Sequence, residues 1–276
     1  MPSWRDLIAA SGLPRSEAHW LAMHAGGVTR AWLIAHDEEA VPACIESIVL
    51  DLFARRRGGE PVAYILGERE FYGLTLHVSP AVLIPRSETE LLVELALERL
   101  PANATVLDVG TGSGAIAIAI ASLRPDAMVV ATDISMPALE VARRNAARHG
   151  VAIEFFHGDA LAPVSGRRFD VIVSNPPYVA QGDPHLLQGD LPFEPALALA
   201  CGPHGMDMLT RLAEQAPSCL LPEGWLLMEH GHDQAQACAQ ILQRGMYRHA
   251  SGFADLAGIL RVCAGQRPIG RAATGP

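Results

Sequence analysis

The pentapeptide Thr105-Val-Leu-Asp-Val109 runs without a break into Gly110-Thr111-Gly112-Ser113-Gly114, and these run into the apolar stretch 115–121. A strand, a glycine-rich turn and a helix in immediate succession form the unit from which doubly wound parallel sheets are built. Glycines at such a turn let the backbone bend tightly and approach a ligand closely, and the helix N-terminus behind them offers unpaired N–H donors. The same stretch is the longest uninterrupted apolar run in the chain. It falls far short of the roughly 20 residues a bilayer requires, so no transmembrane helix is expected. The opening residues MPSWRDLIAASG place Asp6 ahead of any apolar stretch and do not read as a secretory signal.

Alternating strands and helices surround this unit. The pattern predicts a helix over 90–100, strands over 105–109 and 128–132, a helix over 138–149, and strands over 153–156 and 169–174. A helix near 208–215, a strand at 225–229 and a helix over 234–244 follow, and a final pair near Tyr247 and over 259–262 reads as an antiparallel end of the sheet. The fold class is therefore α/β, a doubly wound Rossmann-like sheet. Residues 1–60 differ, reading as a small helical N-terminal domain. Ile45, Ile48, Val49 and Leu52 stand at helical spacing in VPACIESIVLDLFARRR, which stops at Gly58-Gly59. Residues 61–84, where Val62, Tyr64, Phe71, Tyr72, Leu74, Leu76 and Val78 alternate around Gly67 and Gly73, read as a β-hairpin linker, leaving 85–276 as the main domain. The Gly/Ala-rich stretch after Arg267 is expected to fray.

A chain of 276 residues allows one large domain or two modest ones at about 150 residues each. The net charge of −9 argues against a sequence-independent grip on nucleic acid, which requires phosphates to be neutralised. The one short basic run, Arg55-Arg56-Arg57, stands at a helix end, where cations favour the dipole and a solvated position is expected. Five scattered cysteines (Cys44, Cys201, Cys219, Cys238, Cys263) contain no CxxC and suit free thiols in a reducing cytoplasm. His230 and His232 form an HxH pair without further ligands at metal spacing, so no metal is expected.

Asp133 lies about 20 residues beyond the glycine loop, where a carboxylate accepts hydrogen bonds from both hydroxyls of a ribose. It could instead cap the helix starting near Ser135. The loop by itself does not choose its cofactor. Read as Gly110, Gly112, Ala115 it fits the dinucleotide fingerprint, whereas Gly110, Gly112, Gly114 preceded by Asp108 resembles the S-adenosylmethionine loop of class I methyltransferases. The strand Phe169-Asp-Val-Ile-Val-Ser174 supplies the deciding residues, because it ends in Asn175-Pro176-Pro177-Tyr178. In an open parallel sheet ligands sit beyond the carboxyl ends of the strands, so this tetrapeptide and the glycine loop share a crevice. A planar amide is a poor nucleophile because its lone pair is delocalised. The Asn175 side-chain oxygen and the Pro176 carbonyl can each accept one N–H bond from a bound NH₂. Two prolines stiffen the turn and supply no competing donor, and Tyr178 offers a ring face on which a planar group can lie.

The tetrapeptide resembles that of amino-group methyltransferases acting on adenine, cytosine and glutamine amides. Further stretches are similar to the release factor glutamine methyltransferases (the HemK/PrmC family). They are Gly59-Glu60-Pro61-Val-Ala-Tyr64, Arg69-Glu70-Phe71-Tyr72 and Leu83-Ile84-Pro85-Arg86-Ser87-Glu88-Thr89-Glu90, then Asp183-Pro184-His185-Leu186 with Gln188-Gly189-Asp190, Phe193-Glu194-Pro195, Glu229-His230-Gly231 and Asp255-Leu-Ala-Gly258-Ile-Leu-Arg261. The resemblance covers roughly residues 58–265. It implies a class I methyltransferase sheet with a helical N-terminal domain for substrate recognition. It also implies S-adenosyl-L-methionine as cofactor and methylation of the glutamine of the Gly-Gly-Gln loop of class 1 peptide chain release factors in the cytoplasm. Neither a membrane nor direct nucleic acid contact is implied.

By matching position, Gly110, Thr111, Gly112, Ser113, Gly114 and Asp133 would hold the cofactor. Asn175 would touch cofactor and substrate, and Pro176, Pro177 and Tyr178 would complete the glutamine pocket, with Asn175 and Tyr178 catalytic. The chain departs from relatives at Ala160, where some carry an aromatic residue against adenine, and at Pro192, where some carry a basic residue. No general base is required, so Glu229 is expected to anchor a loop and His185 to order the loop around Asp183. A glutamine methyltransferase of a ribosomal protein is the alternative. A DNA adenine methyltransferase would need a basic recognition region that this chain lacks, and an NAD-binding oxidoreductase leaves Asn175 to Tyr178 unexplained.

Overall fold

The computed structural model describes residues 1–267, which form two compact units. The first comprises Met1–Glu68 together with Leu187–Phe193. Its helices are α1 (Trp4–Ala10), α2 (Arg15–Gly26), α3 (Arg30–Ala35), α4 (Ala43–Arg57) and α5 (Val62–Leu66). Local chemistry sets their starts: Ser3 and Asp6 form a capping box before α1, and the Thr29 hydroxyl accepts from Trp32 N at the start of α3. Trp4, Leu21, Leu33, Val49, Phe53 and Ile65 form the buried core. α4 forms where the spacing placed a helix and ends at Gly58; its buried stripe is Val49, Leu52 and Phe53, while Ile48 is exposed.

Two expectations are corrected in this unit. Val62 and Tyr64 belong to the helix α5 and not to a strand. Over five residues, strand and helix periods are indistinguishable, and Pro61 with Gly67 (φ +73°) bounds a single helical turn that buries Ile65. The basic run at the end of α4 is only in part the solvated end expected, since Arg57 is exposed and Arg55 half-buried while Arg56 is drawn into a network. Arg56, with a side chain 19% exposed, donates to Glu17 at 2.7 and 3.2 Å and to Asp190 at 2.8 Å. Arg55 pairs with Glu60, and Arg57 donates to Ser11 O. The Arg56–Asp190 pair explains why 187–193 belongs to the helical unit, so the boundaries 1–60, 61–84 and 85–276 do not describe a contiguous division. The stretch after Arg267 lies outside the described residues.

The second unit comprises Arg69–Leu186 and the chain from Glu194 onward. The hairpin of β1 (Glu68–Phe71) and β2 (Leu74–His77) turns through Tyr72 and Gly73. Both residues have positive φ (+52° and +73°), as a two-residue type I′ turn requires. Next come α6 (Glu90–Leu97), β3 (Thr105–Val109), α7 (Ala115–Leu123), β4 (Met128–Asp133), α8 (Met136–His149), β5 (Ile153–His157) and β6 (Phe169–Ser174). The chain continues with α9 (Ala196–Leu199), α10 (Asp207–Gln215), β7 (Leu220–Glu229), α11 (Ala235–Arg244), β8 (Arg248–Ala254) and β9 (Leu260–Gln266). The sheet order is β5-β4-β3-β6-β7-β9-β8, parallel from β5 to β7, with β9 antiparallel to both its neighbours.

Both sheet faces are covered, which is why the central strands read as continuous apolar runs. Val106, Val129, Val171 and Val173 pack with α6 and α7 on one face. Leu107, Val130, Phe169 and Ile172 pack with α10 and α11 on the other. Ile116, Ile118 and Ile120 of α7 are buried and each contributes about 1.5–3 kcal/mol. Chain order reverses between β3 and β6, so the switch point falls between the carboxyl ends of these two strands.

Candidate active site

Gly110 N and Thr111 N both donate to Thr132 O, at 2.8 and 3.0 Å, which stitches the glycine loop to the end of β4. Asp133 reinforces the stitch: its Oδ2 accepts from Gly112 N at 2.9 Å and its Oδ1 from Ser135 N at 2.8 Å. Ser135, not Asp133, caps α8, through a bond from Ala138 N. Burial raises the Asp133 pKa above its ordinary value against the lowering effect of these backbone donors.

Asp108 is fully buried at the end of β3. Its Oδ2 accepts from Thr111 Oγ1 at 2.7 Å and Ala117 N at 3.2 Å, so it caps the first turn of α7 and fixes the Thr111 side chain. Burial pushes its carboxyl up to about 7. Gly110, Gly112 and Gly114 all have positive φ, but their surroundings differ. A Cβ on Gly110 or Gly112 would meet open space, whereas one on Gly114 would lie 2.9 Å from Ile118 Cδ1 and 3.2 Å from Ala142 Cβ. Ser113 is buried, and its carbonyl accepts from Asn145 Nδ2.

A cavity of about 270 Å³ opens beyond the ends of β3, β4 and β6. Gly110, Gly112, Asp133, Asn175, Pro176 and Pro177 line it. Its apolar wall is aliphatic and includes Ile134, Ala160, Leu197 and Met208, so the missing aromatic after Asp159 is not replaced by another ring. A smaller recess of about 50 Å³ adjoins it, sharing Leu83, Gly110, Gly112 and Asn175 and adding Arg86, Thr89, Thr111 and Ser113. Gly114 and Tyr178 line neither. A larger open groove of about 610 Å³, between α8 and the β4–β5 edge, shares no lining residue with either.

The tetrapeptide is held from behind. Asn175 Nδ2 donates to Thr89 Oγ1 at 3.0 Å, and Thr89 Oγ1 donates to Glu229 Oε2 at 2.6 Å. Tyr178 OH donates to Glu229 Oε1 at 3.2 Å, and Gln234 Nε2 donates to Tyr178 O. Glu229 is buried at the end of β7, and that burial pushes its carboxyl up to about 7. Its expected role as an anchor thus takes a specific form. Burial, first, and the nearby Glu229 carboxylate raise the Tyr178 phenol well above its usual range. His185 N and Nδ1 both lie within hydrogen-bond reach of Asp183 Oδ1, which orders that loop as expected.

Sequence reasoning missed four contributors. Thr89, 86 residues from Asn175 along the chain, fixes its amide. Glu194 is fully buried, accepts from Ile84 N at 3.0 Å and pairs with Arg86, joining two segments (81–83 and 195–198) that wall the cavity. Ile134 and Met208 supply apolar lining. The first two lay within stretches quoted for their family resemblance, but no local pattern gave their roles.

Residues 87–189 match the methyltransferase small domain, and residues 3–67 match the PrmC N-terminal domain. The release factor glutamine methyltransferase of Bordetella pertussis is 50% identical over 95% of this chain and 98% of its own length. That of Neisseria gonorrhoeae is 49% identical over 95% and 96%. Among solved structures, a methyltransferase from Pyrococcus furiosus shares the fold, with a TM-score of 0.55 and 22% identity over 78% of this chain and 98% of that one. A tetrapeptide and glycine loop gathered at one switch point, in a chain similar to such relatives over nearly its whole length, place it in the release factor glutamine methyltransferase family.

Proposed function

We propose that the chain transfers the methyl group of S-adenosyl-L-methionine to the side-chain amide nitrogen (N5) of the glutamine in the Gly-Gly-Gln motif of class 1 peptide chain release factors. The observation that carries this reading is Asn175-Pro176-Pro177 lining the cavity that Gly110, Gly112 and Asp133 also line. The donor set suits the cofactor. A carboxylate offers about four acceptor positions, and Asp133 uses two on backbone N–H groups, which leaves capacity for ribose hydroxyls. Bare backbone at Gly110 and Gly112 admits close approach, and Ile134, Ala160 and Met208 form an apolar seat for a flat base. When bound, S-adenosyl-L-methionine supplies an electrophilic methyl group on a sulfonium.

The chain's own residues bind and align the amide. Asn175 Oδ1 and the Pro176 carbonyl accept the two N–H bonds of the glutamine NH₂, holding the nitrogen in one orientation and favouring loss of its conjugation. Proximity and alignment of this kind contribute about 7–11 kcal/mol. The amide nitrogen becomes strongly acidic on methylation and loses its proton to water. In this reading the helical unit, with its match to the PrmC N-terminal domain, recognises the protein substrate, and the reaction belongs to the cytoplasm. Mass spectrometry after incubation with labelled cofactor tests it. One methyl group on an intact release factor, and none on a factor whose Gly-Gly-Gln glutamine is changed to alanine, is expected. Equal labelling of both factors, or of a ribosomal protein in their place, overturns it.

A further inference from the structure

The tetrapeptide has a buried support whose chemistry is directional. Thr89 is 4% exposed and Glu229 1% exposed, so water does not compete for their hydrogen bonds. A threonine hydroxyl has one proton and two lone pairs, and an ionised carboxylate only accepts. With Glu229 Oε2 at 2.6 Å, the Thr89 proton is directed to the carboxylate, and a lone pair is left facing Asn175. An acceptor in that position selects the NH₂ end of the Asn175 amide, at 3.0 Å, and turns Oδ1 to the opposite end. The two ends of an asparagine amide have nearly the same shape, so packing alone does not make this choice.

We propose that Glu229, acting through Thr89, is a positioning residue that sets which end of the Asn175 amide faces the substrate. The inference rests on the reading above, in which Oδ1 accepts from the glutamine NH₂. In the flipped orientation Asn175 would present N–H groups to the N–H groups of its substrate, and the alignment is lost. The second carboxylate oxygen accepts from Tyr178 OH at 3.2 Å, so one buried group also holds the last member of the tetrapeptide. Without the carboxylate, the Thr89 hydroxyl is free to donate toward Asn175, and either amide orientation is satisfied.

The relay also has a pH signature. Glu229 faces the Thr89 hydroxyl and Glu88 from the segment before α6, Tyr178 beyond β6, and Arg261 on β9. Burial and Glu88 raise its carboxyl, while the two hydroxyl donors and Arg261 lower it, leaving it at about 7. Protonation places a donor on the carboxyl group, which allows the Thr89 hydroxyl to reverse and releases the Asn175 amide.

Three variants separate this role from a merely structural one: Glu229→Gln, Thr89→Val and Thr89→Ser. Each is first checked for melting temperature and for binding of S-adenosylhomocysteine. Glu229→Gln and Thr89→Val are expected to lower kcat by about 10- to 100-fold, the loss of one buried oriented bond, with a much smaller change in KM for the release factor. Thr89→Ser, which keeps the hydroxyl, restores kcat, and the double variant is no worse than either single one. In the unaltered enzyme kcat rises as pH passes upward through about 7, and this limb is absent in Glu229→Gln. Near-normal kcat in Thr89→Val, failure of Thr89→Ser to restore it, or a flat wild-type profile across about two pH units around neutrality overturns the proposal. Should Glu229→Gln fail to fold, the Thr89 pair decides, because Asp108 also has a carboxyl pushed up to about 7. An unaltered enzyme that leaves the glutamine unmethylated refutes the activity itself, a result distinct from a methylating enzyme indifferent to Thr89.

Discussion

Replacing Gly114 by alanine separates packing from ligand contact within the glycine loop. Gly114 has φ +85°, a left-handed conformation that costs a residue with a Cβ about 1–2 kcal/mol. Its new methyl would also lie 2.9 Å from Ile118 Cδ1 and 3.2 Å from Ala142 Cβ. Ile118 is fully buried, so its Cδ1 can turn away only by crowding the core, and Ala142 has no rotamer to change, so relief there requires α7 to move away from α8. Overpacking of that kind costs about 1–3 kcal/mol, which brings the total to roughly 2–5 kcal/mol. At about 2–4 °C per kcal/mol the melting temperature falls by roughly 4–20 °C. Gly112→Ala is the control: φ is +55° but its Cβ meets nothing, so the expected fall is roughly 2–8 °C. Binding should show the reverse order, because Gly112 lines both cavities and Gly114 neither. Thermal unfolding is measured first, then titration with S-adenosylhomocysteine at a temperature where both variants are folded. If Gly114→Ala melts no lower than Gly112→Ala, or loses more affinity than it, this division of the loop is wrong.

Asn175→Ala should lower methyl transfer by about 10²–10³-fold while leaving the melting temperature within a few degrees, since the side chain sits beyond a strand end; near-normal turnover in a single-turnover assay refutes its role. Asp108 carries a pKa of about 7 in the fold against an ordinary 3.8. A raised carboxyl contributes stability that is complete below about 4 and is lost as pH rises through about 7. Melting curves of Asp108→Asn and wild type, compared from acid to neutral pH, should therefore move in the variant's favour as pH rises, and a constant difference contradicts the shift. Arg56→Leu leaves Glu17 and Asp190 without their partner and should cost about 1–3 kcal/mol, less than a fully buried pair. Limited proteolysis should then cut more readily within 187–193, and unchanged digestion would show that Arg56 does not hold that segment.

What was legible in the sequence is what short segments specify by themselves. Strand, turn and helix at 105–123 and the tetrapeptide after β6 carry their signals within a few residues, and β3 and β6 fall where the pattern placed them. The helix α5 was misread because Val62 and Tyr64 satisfy a period of two as well as they satisfy one helical turn. Long-range pairings left no local trace. Thr89 and Glu229 are 140 residues apart, and Arg56 and Asp190 are 134 apart. Asp133 illustrates a third limit. Its position at a strand end suggested both a ribose contact and a helix cap, yet the neighbouring Ser135 takes the cap and leaves Asp133 to brace Gly112.

The strand order has a consequence for how the chain is made. β9 follows β8 in the chain yet lies between β7 and β8, so β7 gains its second neighbour only when the β8–β9 hairpin docks as one piece. During N-to-C synthesis the glycine loop, the tetrapeptide and Met208 all emerge before that event. A nascent chain interrupted between β8 and β9 would carry the cofactor cavity and at the same time expose residues 225–229 of β7 as an unpaired edge. Such an edge is a template for strand addition by a second chain. Docking of a non-local hairpin is also slow compared with local helix formation. The interval between emergence of β7 and arrival of β9 is therefore one in which the nascent chain carries a complete set of cavity residues beside an open sheet edge.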